Sequence, residues 1–271
     1  MTYRMLASGL IAGFAAGLFA ALLHFAFIQP VLLVGELYES GKITHFTSSG
    51  SSASDNPLMG GHAEAVITDH TGTASPDQPQ AAPADGHAGH AEAEGDTPTW
   101  KRNTLTVLFT GLTYAAYGLF LTAGFGLAGI WGYDVTPMRG LIWGLCGFLA
   151  FHLAPALGLP PELPGTIGAD LRLRQAWWVS TVLATGGALA ILASGRGGVL
   201  AWVVAGILLA APHGIGAPQA DRFWGVAPPE LGALFATRAL GVALLAWLAL
   251  GWLAARLWMT APDTENRTVR A

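Results

Sequence analysis

The stretch Met5-Leu-Ala-Ser-Gly9-Leu-Ile-Ala-Gly13-Phe-Ala-Ala-Gly17-Leu-Phe-Ala-Ala21 opens an apolar run that continues to Val34 without a charged residue. A helix needs about 20 apolar residues to cross a hydrocarbon core of ~30 Å, and 5–34 exceeds that. Gly9, Gly13, Gly17 and Ala21 recur every four residues. This spacing puts small residues on one helix face, where a second helix can approach closely. The run is longer than the apolar core of a signal peptide, and no small-x-small cleavage site follows before Glu36, so it reads as an uncleaved span. Pro30 should kink or end the helix before Val31-Leu-Leu-Val34.

Outward from this run, apolar segments recur at roughly 104–131, 138–157, 175–195, 197–212 and 239–258. The fold class is therefore an all-α polytopic membrane protein with about six transmembrane helices. Five is the alternative, because 197–212 is short and lies between Gly195-Arg-Gly-Gly198 and Pro212, which suits a re-entrant hairpin equally. Composition agrees. The 271 residues are 52% hydrophobic and 11% charged, against about 25% charged in soluble domains. A net charge of −4 gives no case for nucleic acid, and the single Cys146 excludes an intramolecular disulfide. Arg238 and Arg256 bracket the last span and should snorkel outward; Trp177 and Trp178 should anchor the fourth at the interface. Four regions result: a first helix with an acidic end (1–39), a polar loop (40–103), a helical membrane bundle (104–260) and a polar tail (261–271).

Two segments turn the reading toward a metal ion. One is His152-Leu-Ala-Pro-Ala-Leu-Gly-Leu-Pro-Pro-Glu-Leu-Pro-Gly165, and the other is Pro212-His-Gly-Ile-Gly-Ala-Pro-Gln219. Each places a histidine where an apolar run meets Pro/Gly-rich backbone, which is tolerated in a membrane only where protein or a water-filled cavity satisfies it. His152 and His213 are the nitrogen candidates. The competing reading of His152 is a hydrogen bond to a carbonyl freed by Pro155. Glu162, stiffened by Pro160, Pro161 and Pro164, is an oxygen candidate, as are Glu36 and Glu39, one turn apart. Pro212 and Gly214 should stop the helix and leave carbonyls free around His213. His24 reads as a packing residue.

The loop 40–103 has a disordered composition, rich in Ser, Gly, Ala, Pro and Asp. Five of its 64 residues are histidines, with His87-Ala-Gly-His90 the tightest pair. Imidazole with carboxylate suits borderline divalent ions, and a site that must order a disordered chain is weak and exchangeable. The alternative is a plain tether. Lys/Arg counting does not fix orientation; a metal-collecting loop favours an inside N-terminus. With six spans, Glu36, Glu39, Glu162, His152 and His213 then share the end that bears the loop. No Ser/His/Asp arrangement, Walker loop or GxGxxG is present, so no enzyme is indicated.

These residues resemble the probable cobalt transporter subunit family, CbtA, over essentially the whole length. The resemblance rests on Arg4 with the Gly9/Gly13/Gly17 row, Pro30, Glu36-Leu-Tyr-Glu39, the loop closing on Trp100, the His152–Gly165 motif with Ala169-Asp170 and Gln175–Trp178, and Pro212–Gln219. The sequence departs from the family in its sparser loop histidines and in Trp100-Lys-Arg-Asn-Thr104. The resemblance implies an integral subunit for Co2+ uptake across a bacterial cytoplasmic membrane, working with a small one-span partner (CbtB-like) bearing a His-rich tail, and supplying corrin synthesis. Ni2+ or another divalent metal is the alternative cargo. The alternative functions are a metal-binding scaffold supporting a separate permease, and a cofactor-bearing electron-transfer protein.

Overall fold

The computed structural model describes residues 2–44, 98–222 and 225–260. Residues 45–97, including His87 and His90, and the C-terminal tail 261–271 lie outside the described residues. Six helices are long and apolar enough to cross a membrane, so the count of six holds. They are Tyr3–Glu39, Thr99–Ile130, Pro137–Ala156, Leu171–Ser194, Gly198–Ile215 and Pro229–Thr260. The segment after Gly197 is a complete 18-residue helix of its own, which at 1.5 Å per residue is about 27 Å long.

The first rod removes one half of the reading of Pro30, that it ends the helix. Helix α1 (Thr2–Leu23) passes through a π turn, His24–Ile28, into α2 (Gln29–Glu39), so the proline does not end the helix. A proline ring clashes with the carbonyl four residues before it, here that of Ala26. That carbonyl sits inside the π turn, where the wider i→i+5 bonding absorbs the misfit. The third span repeats the device. Helix α4 (Pro137–Phe148) leads through a π turn, Leu149–Leu153, into the short α5 (Ala154–Ala156), and Phe151 lies four before Pro155.

The expected glycine row forms a helix seam. α1 lies along α3 (Thr99–Ile130), with Gly9, Gly13 and Gly17 facing Gly118, Ala115 and Gly111. A Cβ added at Gly17 would stand 2.6 Å from Gly111 Cα, closer than side chains come. Thr122, fully buried, donates across this seam to Met5 O at 3.1 Å. α3 begins at Thr99, so Trp100-Lys-Arg-Asn103 is helical and the polar loop ends earlier than its composition suggests.

A second seam joins α4 to α8 (Pro229–Thr260), where Gly140 and Gly144 meet the Gly251 and Trp247 backbones. α1 also packs on α8, and Ala12, Ala16, Phe125, Phe148, Ala246, Trp247 and Leu250 form the core between these four helices. α6 (Leu171–Ser194) and α7 (Gly198–Ile215) form a hairpin through Gly195 and Gly197, whose φ of +61° and +94° suit glycine. α7 packs chiefly on α6. At the turn end of this hairpin, the Tyr133 hydroxyl donates to Ser194 O at 2.6 Å.

Candidate functional site

The segment 157–170 holds one end of the bundle together. Leu163, 3% exposed, presses on Gly35 of α2, and Gly165 turns at φ +81° beside Glu39 and Val226. Thr166 forms an isolated bridge with Gly225, and Gln219 Nε2 donates to Gly158 O at 3.1 Å. Asp170 then caps α6, its Oδ1 accepting from the Arg172 and Leu173 amides at 3.0 and 3.1 Å. The end of the first rod, the 157–170 segment and the segments flanking His213 and α8 therefore meet at one end, as alternation of six spans requires.

Within that end two of the three candidate carboxylates are already engaged. Glu162 Oε2 lies 2.8 Å from Arg174 Nη2, and Glu36 Oε2 lies 3.7 Å from Arg102 Nη1. Glu39 borders Gly165. Among the described residues, no three His, Cys, Asp or Glu side chains gather to hold a metal ion.

His152 sits lower, in the second π turn, with its ring in an aromatic box. Phe148 stacks on it at 6.2 Å and 20°, while Tyr117 and Trp247 meet it edge-on at 6.2 and 6.1 Å. Trp247 is itself stacked on Phe151 at 5.5 Å. His152 Nε2 and Trp247 Nε1 are both buried with no hydrogen-bond partner among the described residues. The bond from Nε2 to a carbonyl freed by Pro155 is therefore not made. A buried polar atom left unpaired costs about 1–3 kcal/mol, and two of them meet in this box.

His213 differs from its expected setting. α7 runs through Pro212 to Ile215, placing His213 in the last helical turn, exposed and edge-on to Trp177 at 6.1 Å. The Pro212 carbonyl is not free: it accepts from Trp177 Nε1 at 3.1 Å and from the Gly216 amide at 3.1 Å. Trp177 is thus a buried tie between α6 and α7 and not an interfacial anchor. Trp178 reaches the other way, to Phe151 of the π turn at 6.1 Å. His213 meets Trp177, whereas His152 meets Tyr117, Phe148 and Trp247, so the two histidines have no ring neighbour in common. Arg238, too, is engaged: its Nη1 donates to Phe27 O at 3.0 Å, in the first π turn.

Trp247, Arg102 and Arg174 are the neighbours of the candidate residues that spacing did not reveal. Trp247 lies in an unbroken apolar run, and each arginine lies 12 or more residues from its carboxylate. The Gly140-x-x-x-Gly144 spacing was the one local signal that α4 has a close helical partner.

A family model described as "Probable cobalt transporter subunit (CbtA)" matches residues 2–259. No curated protein and no solved structure matches the chain.

Proposed function

The chain belongs to the probable cobalt transporter subunit family, and from that premise we propose that it moves Co2+ inward across a bacterial cytoplasmic membrane, using His152 as a ligand within the bundle. The observation that carries this reading is the buried Nε2 of His152, unpartnered in the third of six spans. An ionisable side chain in a span is costly and is retained where it serves a path or site. Imidazole suits a borderline divalent ion, and the ring stacking on Phe148 fixes its direction.

In this scheme the ion arrives at the end that carries Glu36, Glu39, Glu162 and His213 and trades part of its water shell there. His87 and His90 raise the local metal concentration. His152 takes the ion past the aromatic box. No nucleotide-binding motif is present in the sequence, so the drive comes from a partner or from the membrane potential, about 2.3 kcal/mol per charge per 100 mV. A one-span His-tailed partner fits this division of labour, feeding metal to the shared end. The N-terminus lies inside.

The test is Co2+ uptake in cells lacking other cobalt importers, with His152→Gln and His152→Ala. Gln restores hydrogen bonding but is a poor ligand for a borderline metal. Both variants should reach the membrane, and both should lose uptake by about tenfold or more, the effect of about 1.4 kcal/mol. Normal uptake by His152→Gln would make His152 a packing residue and remove it from the path. Flux of Co2+ into liposomes by the purified chain separates transport from a scaffold role.

A further inference from the structure

The two π turns follow the same order of features at different spacing. Gly9-Leu-Ile-Ala-Gly13 of α1 matches Gly140-Leu-Ile-Trp-Gly144 of α4. In each rod these glycines form the seam with a partner helix, then comes a π turn containing a histidine, then a proline two residues past the turn. The histidines are not in register: His24 opens its turn six residues before Pro30, and His152 is the fourth residue of its own, three before Pro155. Yet His24 does not enter an aromatic box. It lines a cleft of about 40 Å³ with Gln29, Glu36, Arg102, Asn103 and Thr106, between the first rod and the start of α3.

We propose that this cleft is a second cation station, in which His24 and the amide oxygens of Gln29 and Asn103 hold a partly hydrated divalent ion. Gln29 Nε2 and Asn103 Oδ1 lie 3.4 Å apart, a loose contact that ligation of either amide replaces without breaking a short bond. One imidazole nitrogen with carbonyl-type oxygens and retained waters is a donor set for a borderline ion. The Glu36–Arg102 pair closes the outer end of the cleft. Glu36 is 12 residues from His24 along the rod, about 18 Å at 1.5 Å per residue, so no single ion touches both. They are successive stops, with Arg102 holding the place of the cation at the first. The ion's identity rests on the transporter reading; the site itself does not.

The test is site-specific protection. In the full-length chain with Cys146→Ala, Thr106→Cys puts a thiol in the cleft wall. A small water-soluble thiol reagent should label it, and CoCl2 at about ten times the dissociation constant should slow labelling about tenfold, because about one site in eleven stays open. Adding His24→Ala should abolish the protection, whereas adding His152→Gln should leave it. MgCl2 should not protect. An unreactive thiol, no protection by CoCl2, or protection that survives His24→Ala would each overturn the proposal. Protection present without Co2+ uptake would sink the transporter reading alone; uptake without protection would sink this site alone.

Discussion

At the residue scale, Glu162 shows how a candidate ligand can already be occupied. Its carboxylate meets Arg174 at 2.8 Å, with both side chains about one-third exposed. A pair so close to water contributes about 0.2–1 kcal/mol. An arriving divalent ion therefore displaces the guanidinium cheaply, and the pair reads as a competitor for the ion more than as a brace. If Glu162 serves the ion, Arg174→Gln should lower the half-saturating Co2+ concentration for uptake about threefold, the equivalent of ~0.7 kcal/mol. Glu162→Gln should raise it. Identical half-saturation in all three proteins would remove Glu162 from the path. The proline-flanked sequence around Glu162 advertised a stiff carboxylate, but Arg174 became its partner only when α6 began at Leu171 and turned the guanidinium back.

At the element scale, glycine seams set which helices pair. Gly13 faces the Tyr114 carbonyl and the Ala115 backbone so closely that any side chain must push α1 and α3 apart. Gly206 of α7 faces nothing within 4 Å. Gly13→Ala should destabilise the protein by about 1–3 kcal/mol, as overpacking does. Gly206→Ala should stabilise it by roughly 0.5–1 kcal/mol by lowering backbone freedom. Thermal unfolding of the two variants in one detergent checks the contrast, and equal melting temperatures would refute the seam. The four-residue spacing was readable because it depends only on helical geometry. The π turns were not, since whether a proline ends a helix or is absorbed depends on what holds the helix beyond it. Here α2 is held by Leu163 on Gly35 and by Arg238 on the Phe27 carbonyl.

At the scale of the whole molecule, the contacts between α2 and α3 bear on the role of the segment that links them. Glu36 reaches Arg102, and Gln29 reaches Asn103, so side chains of the two helices meet near the ends that the segment joins. A few residues suffice to join them. Replacing 46–97 by a short Gly/Ser linker should leave insertion and unfolding temperature unchanged, while uptake falls at low external Co2+ alone. Loss of insertion, or unchanged uptake at every Co2+ concentration, would end the collecting role of His87 and His90. Lys42→Cys and Gln219→Cys should label from the same side of the membrane, opposite to Arg196→Cys, because the 157–170 segment ties the first rod and the residues after α7 to one end.

The sequence alone determined an all-helical membrane chain of five or six apolar crossings, the Gly9/Gly13/Gly17 face and, given six, the end shared by the acidic residues and the Pro/Gly-rich segments; the structure made the count six. Each follows from length, period or alternation, which are properties of a chain in a slab of fixed thickness. Tertiary structure decided the rest: Trp247 beside His152, Arg102 on Glu36, Arg174 on Glu162, and the Pro212 carbonyl taken by Trp177. These pairings join residues far apart in the chain or set by the rotation of one helix about its axis. A π turn changes that rotation by adding one residue to a turn, and no local pattern of hydrophobicity records it.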